Sequence, residues 1–290
     1  MKDECKQCLL NSFEGYLQNR AVENKMKDQI MFRIRAYIEG IRADMPTPEV
    51  ARVGNQIMAS SLKNDDLFEK EKRKSNDIVL KRYAELKDYI HLSSDPFNLA
   101  LRLSIAGNIL DFVSFPALYE KGSTKIDETI DFVLRTDFAI DDSKELKKNI
   151  QSSKTLLYLG DNAGEIVLDK LFLETINHPN VYYAVRGGPV INDVTLTDAF
   201  YVGINYLARL ISNGYDAPST IIEKSSKNFL DVYQKADLII SKGQGNYEGL
   251  MMNERSDLFY LLMVKCNVIA EILHVKKGDF VVKRNRKPKI

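Results

Sequence analysis

From about Lys154 onward the chain alternates short apolar runs with helical patterns, and this rhythm limits its folds more than any other feature. The runs cover residues 155–159, 181–185, 207–211, 238–241, 259–264 and 280–282. Strands interleaved with helices build βαβ units and a mostly parallel sheet. Helices on both faces bury such strands on both sides, so the runs read apolar throughout instead of alternating. The first half is helical in pattern. Thr47 caps a helix with Pro48 at its first position, running to about Leu62. Asp65 caps a longer, highly charged helix to about Ile90, and Asp95-Pro96 opens another through Leu99, Leu101, Ile105, Ile109 and Phe112. Gly107 and Asn108 are poor helix formers inside that last apolar run, which hints at close packing or a site. The expected fold is α/β: a mainly helical N-terminal domain over residues 1–150 that contributes to a cleft, then a C-terminal three-layer α/β/α (Rossmann-like) sandwich over 151–290 with a mostly parallel sheet. The boundary is expected in the polar stretch 141–154.

The 290 residues suffice for two such units. A formal net charge of +1 gives no electrostatic reason to expect nucleic acid or a membrane as partner. Lys283, Arg284, Arg286, Lys287 and Lys289 crowd the C-terminus, where a solvated end is a simpler reading than a phosphate-binding tail. No segment approaches the roughly 18 uninterrupted apolar residues of a membrane span, and Met1-Lys2-Asp3-Glu4-Cys5 lacks the apolar core of a signal peptide. A cytoplasmic protein is expected. Three cysteines, an odd number, argue against a disulfide framework.

A parallel sheet gathers the carboxyl ends of its strands along one edge, where ligands bind in open α/β folds. After the first run stand Asp161, Asn162, Gly164 and Glu165; after the second, Arg186, Asn192 and Asp193; after 238–241, Lys242, Asn246 and Glu248. Hard oxygen donors, two cations and no histidine are the inventory of phosphoryl chemistry. Asp161 and Asn162 suit a divalent cation such as Mg²⁺, although an Asx-capped strand-to-helix turn uses the same residues. Gly164 and Glu165 open a helix whose backbone N–H groups favour an anion. Glu165 is a candidate general base and equally a complement to the positive helix end. Asn108 and Asp111, three apart, share a helix face, either lining a pocket or satisfying each other.

Gly243-x-Gly245-x-x-x-Gly249 imitates a dinucleotide fingerprint, but the next run ends Val264-Lys265-Cys266 without the acidic residue a ribose requires. Cys5-x-x-Cys8 is half of a zinc-type site with Cys266 as a candidate third soft-metal ligand. Thiols on the first helix are the simpler reading, since no second such pair exists and His91, His178 and His274 have no metal-ligand spacing to it. No Gly-x-Ser-x-Gly elbow is present, which disfavours a nucleophilic triad.

Several of these words also resemble a known family. Gly160-Asp161-Asn162-Ala163-Gly164-Glu165, Arg186-Gly187-Gly188-Pro189-Val190-Ile191-Asn192-Asp193 and Ser241-Lys242-Gly243-Gln244-Gly245-Asn246-Tyr247-Glu248 are similar to motifs of the DUF89, or ARMT1-like damage-control phosphatase, family. Gly107-Asn108-Ile109-Leu110-Asp111-Phe112 and Ser212-Asn213-Gly214 extend the match, in order, over about residues 95–285, and Cys5-x-x-Cys8 resembles its cysteine-bearing prokaryotic branch. The resemblance implies a metal-dependent phosphatase acting on phosphomonoesters of small metabolites: phosphosugars or phosphorylated cofactor precursors, some of them damaged. It implies that Asp161, Asn162 and Asp193 hold the divalent ion (Mg²⁺, Mn²⁺, Co²⁺ or Ni²⁺), that Lys242 holds the substrate phosphate, and that Asn108 and Asp111 reach toward the cleft. Arg186, Asn192, Asn246 and Glu248 are expected around the substrate. The nucleophile is open between a water prepared by Glu165 or Asp161 and direct attack by Asp161 to give an aspartyl phosphate. Two alternatives stand beside this function, an S-adenosylmethionine-dependent carboxyl methyltransferase and a non-catalytic phosphometabolite-binding module.

Overall fold

A computed structural model describes residues 1–42, 44–107 and 135–286. Among the described residues six helices come first: α1 (Asp3–Gln18), α2 (Asn24–Gly40), α3 (Thr47–Leu62), α4 (Glu69–Leu80), α5 (Tyr83–Leu92) and α6 (Pro96–Ala106). Then follow β1 (Phe138–Asp141), α7 (Ser143–Ser152), β2 (Leu156–Leu159), α8 (Glu165–Ile176), β3 (Val181–Val185), α9 (Leu196–Val202) and β4 (Arg209–Ser212). The chain continues through α10 (Lys227–Lys235), β5 (Leu238–Lys242), α11 (Gly243–Leu250), β6 (Leu258–Met263), α12 (Asn267–Leu273) and β7 (Phe280–Arg284).

Among the described residues the sheet has seven strands in the order β1-β7-β6-β5-β2-β3-β4, parallel throughout except for the antiparallel pair β6–β7. The expected α/β architecture with a mostly parallel sheet is therefore present. Strand β2 explains why its sequence has no polar alternation. Leu156 and Tyr158 join one apolar core, whereas Leu157 and Leu159 join a second on the opposite face. The first core takes side chains from α4 to α9; the second takes them from α10, α11 and α12. A third cluster lies apart from the sheet, built by Phe13 and Leu17 of α1, Ile30, Ile34 and Ile38 of α2, and Val50 and Met58 of α3.

Some details differ from the sequence expectations. The charged helix expected from Asp65 to about Ile90 is two helices, α4 and α5, broken at Lys81-Arg82, where Arg82 leaves the helical region (φ −101°, ψ 1°). The break lets Leu86 and Ile90 of α5 turn onto the first core beside Val79 of α4. Asp65 does not start α4; Asp66 accepts the Phe68 amide one turn ahead of it. Residues 138–141 form an additional strand, which pairs with β7 ahead of the polar stretch 141–154, and α7 occupies most of that stretch. The fourth strand starts at Arg209, because a 3₁₀ turn over Ile204–Tyr206 keeps Leu207 and Ala208 bonded back to the Ile204 carbonyl. Asp95 does cap α6, accepting the Asn98 amide. Asn108, Ile109, Asp111, Phe112, Lys287 and Lys289 lie outside the described residues. Among those described, no helix is long and apolar enough to cross a membrane.

Candidate active site

The chain runs from β2 outward through β3 to β4, then returns to place β5 on the other side of β2. The strand order thus reverses between β2 and β5, and such switch points open a crevice at the strands' carboxyl ends. Asp161 and Asn162 follow β2 there, and Gln244, Gly245 and Glu248 follow β5. The segment after β3 folds back over the first turn: Val194 N–H donates to the Asp161 carbonyl at 2.8 Å, Ala163 N–H to the Asn192 carbonyl at 2.9 Å, and Asn162 and Asp193 form an isolated antiparallel bridge. Two motifs 32 positions apart in sequence are thereby zipped together, which sets Asp193 beside Asp161 and Asn162.

Arg186, almost fully buried, locks this arrangement. Its Nε donates to Asp193 Oδ2 at 2.5 Å, Nη2 to Asp161 Oδ1 at 3.1 Å and Nη1 to Asn246 Oδ1 at 2.8 Å. Asn246 in turn donates to the carbonyls of Gly160 (3.1 Å) and Lys242 (2.8 Å), tying the ends of β2 and β5. Burial raises the Asp193 carboxyl to about 7; Arg186 pulls the other way, and Asp161 adds to the rise. The Asp161 carboxylate rests on the backbone of Gly243, where φ is +76° and a Cβ would stand 1.8 Å from Oδ2. Pro218 O crowds Gly245 and Ser219 Oγ crowds Gly249 in the same way. The three glycines of the dinucleotide-like word therefore make room for protein groups.

Asp161, Asn162, Asn192, Asp193 and Glu248 line a pocket of about 640 Å³ whose other wall comes from α1 and α3, including Glu4, Leu9, Thr47 and Ala51. Cys5, Cys8 and Cys266 line the same pocket, with Gln244 Nε2 3.5 Å from Cys266 Sγ. All three are free cysteines, and burial raises the thiols of Cys5 and Cys8. Among the described residues no three or more His, Cys, Asp or Glu side chains are grouped to hold a metal. A cation would rest on two carboxylates and a carboxamide. That all-oxygen donor set fits a hard divalent ion.

Lys242 and Glu165 lie deeper and are fully buried. The ammonium of Lys242 donates to Ser104 O (2.8 Å), Glu165 Oε1 (2.5 Å) and Asp169 Oδ1 (2.6 Å), which uses all three of its N–H bonds. Burial pushes the Glu165 carboxyl up to about 8, Lys242 opposes this, and Asp161 and Asp169 reinforce it. Glu165 Oε2 is buried without a partner among the described residues. Gly164 sits against α4, its N–H donating to Asn76 Oδ1 at 2.7 Å, and so outside the pocket lining. Sequence reasoning missed Asp169, Tyr158 and Tyr183, which pack beneath Lys242, and Gln244 and Lys265 at the pocket wall. A signal for Asp169 existed: it is the one acid inside the apolar run of α8, four residues from Glu165 and so on its face.

A largely parallel α/β sheet with a buried acidic crevice at its switch point defines a Rossmann-like α/β protein. The family model for the damage-control phosphatase ARMT1-like domain matches residues 1–281, and the chain belongs to that family. The damage-control phosphatase PH1575 of Pyrococcus horikoshii is 32% identical over 290 residues, covering 98% of this chain and 97% of that one. A damage-control phosphatase of Archaeoglobus fulgidus is 31% identical over 226 residues, 76% of each chain. The crystal structure of PH1575, described as a DUF89 family protein, matches with a TM-score of 0.86 at 31% identity, covering 99% of both chains.

Proposed function

We propose that this protein is a metal-dependent phosphatase that hydrolyses phosphomonoesters of small metabolites, phosphosugars or phosphorylated cofactor precursors among them. The observation that carries the reading is the convergence of Asp161, Asn162 and Asp193 on one pocket, with Arg186 bonded to both carboxylates. A divalent ion held by those three residues would supply a Lewis acid that offsets charge on a phosphoryl oxygen. Arg186 keeps the two carboxylates in register and places a fixed positive charge behind them. Lys265 and Lys277 bring ammonium groups to the pocket wall, where a phosphate gains from them. A volume of about 640 Å³ admits a sugar- or cofactor-sized substrate. Glu165, its carboxyl raised by burial, lies beneath the pocket lining and holds Lys242, so it supports the site from below.

The test is phosphate release from a panel of phosphomonoesters, with EDTA or with Mg²⁺, Mn²⁺, Co²⁺ or Ni²⁺, beside Asp161→Ala and Asp193→Ala. Metal-dependent release that drops at least about 100-fold in each variant is expected. Folded protein that releases no phosphate with any metal overturns the reading. Methyl transfer from S-adenosylmethionine, or tight binding of a phosphorylated ligand without turnover, would then assign the pocket to a methyltransferase or a binding module.

A further inference from the structure

Beneath the pocket, three neighbouring strands each send one polar side chain to a single carboxylate on α8. Tyr158 of β2 donates to Asp169 Oδ1 at 2.7 Å, Tyr183 of β3 to Oδ2 at 2.9 Å, and Lys242 of β5 to Oδ1 at 2.6 Å. All four side chains are fully buried. These strands are adjacent in the order β5-β2-β3, so Asp169 spans the place where the strand order reverses. The two tyrosine rings stack with centroids 5.3 Å apart and planes 13° from parallel, which leaves their hydroxyls little freedom.

This knot abuts the site from two directions. The Tyr183 hydroxyl stands 2.6 Å from where a Cβ on Gly160 would lie, so it buttresses the backbone one residue before Asp161. Lys242 immediately precedes Gly243, against which the Asp161 carboxylate rests, and the same ammonium holds Glu165 Oε1. The strands are already joined by their backbone ladders, and an apolar filling would hold them without desolvating two carboxylates and an ammonium. A network of this composition gains fixed geometry.

We propose that Asp169 is a positioning residue of the active site, which through Tyr183 and Lys242 sets the placement of Asp161 and Glu165. The role rests on the phosphatase reading. Asp169 acts only through the groups it holds, being fully buried itself.

The experiment compares Asp169→Asn, Tyr183→Phe and Tyr158→Phe with the unmodified chain, measuring kcat and KM for phosphate release and the unfolding midpoint separately. Asp169→Asn is expected to lower kcat about 100-fold with KM within about threefold, as for catalytic groups displaced by about an ångström. Tyr183→Phe is expected to lower kcat about tenfold. The Asp169→Asn/Glu165→Gln double variant should be no slower than the slower single variant, because the residues act as one unit. A kcat for Asp169→Asn within about threefold of the parent, or losses that multiply in the double variant, overturns the proposal. A role in stability alone would lower the unfolding midpoint and leave kcat of the folded enzyme unchanged. Should Asp169→Asn fail to fold, the two single-hydroxyl deletions carry the test.

A spectroscopic arm is independent of turnover. In ¹⁵N-lysine NMR spectra, the Lys242 ammonium, held by three acceptors, should give a slowly exchanging signal that Tyr183→Phe perturbs and Asp169→Asn abolishes. A signal unchanged in both overturns positioning. A parent chain that shows this signal yet releases no phosphate refutes the phosphatase reading instead.

Discussion

Adding one methyl group at Gly243 addresses the centre of the proposed site. A Cβ there would stand 1.8 Å from Asp161 Oδ2 and 2.4 Å from its Cγ. Ordinary contact between non-bonded heavy atoms requires about 3.5 Å, so the carboxylate must withdraw by about 1.5 Å. The alanine also inherits φ of +76°, which costs about 1–2 kcal/mol for an L-residue. Gly278 separates the two effects. Its φ is +94° and nothing lies within 4 Å of its missing Cβ, so Gly278→Ala carries the backbone strain without the collision. Gly278→Ala should lose about 1–2 kcal/mol, or about 2–8 °C in the unfolding midpoint at this chain length, and Gly243→Ala should lose more because the displaced carboxylate also disturbs its pair with Arg186. Only Gly243→Ala should lose catalysis, by about 100-fold or more in kcat, since displacement of about 1 Å is enough for that. Phosphate release with Mn²⁺ and a thermal melt on each variant decide it. Equal kcat in the two variants would refute the view that the glycine exists to seat Asp161.

Two further outcomes follow from the buried ion pairs. Lys72, 2% exposed, bridges Asp66 at 2.7 Å and Asp198 at 3.0 Å, and Asp198 also closes the capping box of α9 through Thr195. Lys72→Met should cost roughly 2–4 kcal/mol in urea unfolding, the part-exposure of Asp66 keeping it below the loss for a fully buried pair; a loss below about 0.5 kcal/mol would mean that water already serves both carboxylates. Arg186→Met removes the buried guanidinium that bonds both Asp161 and Asp193 and should destabilise the metal-free protein by about 3–5 kcal/mol. Mn²⁺ should then raise its unfolding midpoint by more than it raises the parent's, and an equal rise in both would count against a cation site at these carboxylates.

The parts of the fold legible in the sequence are those where local pattern and tertiary environment agree. Residues 156–159 and 181–185 read as strands because burial on the sheet leaves no place for a charged residue and no polar alternation. Residues 138–141 escaped because an edge strand shows only one face to the core, and Phe-Ala-Ile-Asp resembles a loop. The α4–α5 break at Lys81-Arg82 is equally invisible, since both residues suit a helix and the turn of α5 onto the sheet causes it. In the site, Asp161, Asn162 and Asp193 stood at strand ends that a parallel sheet gathers along one edge, and the family resemblance grouped them, since Asp193 alone reads equally as a helix cap. The environment of Lys242 was not: three acceptors from α6 and α8 meet it only through packing that no sequence spacing records. The glycines of 243–249 illustrate the converse, a legible pattern whose cause lies in neighbours 27 to 82 positions away.

The pocket has a floor and a roof that obey different pressures. Its floor is welded into the sheet through Arg186, Asn246 and the knot at Asp169, whereas its roof, α1 and α3, closes over a separate apolar cluster. A change on the pocket-facing side of α1, at Glu4, Cys8 or Leu9, alters what the cavity admits while the strands that carry the acids keep their register. The two walls are thus held by different parts of the fold, the acids by the sheet and the facing wall by the helices of the third cluster. The shape of the cavity can therefore change on its α1 and α3 side without disturbing the ladder that seats Asp161 and Asp193.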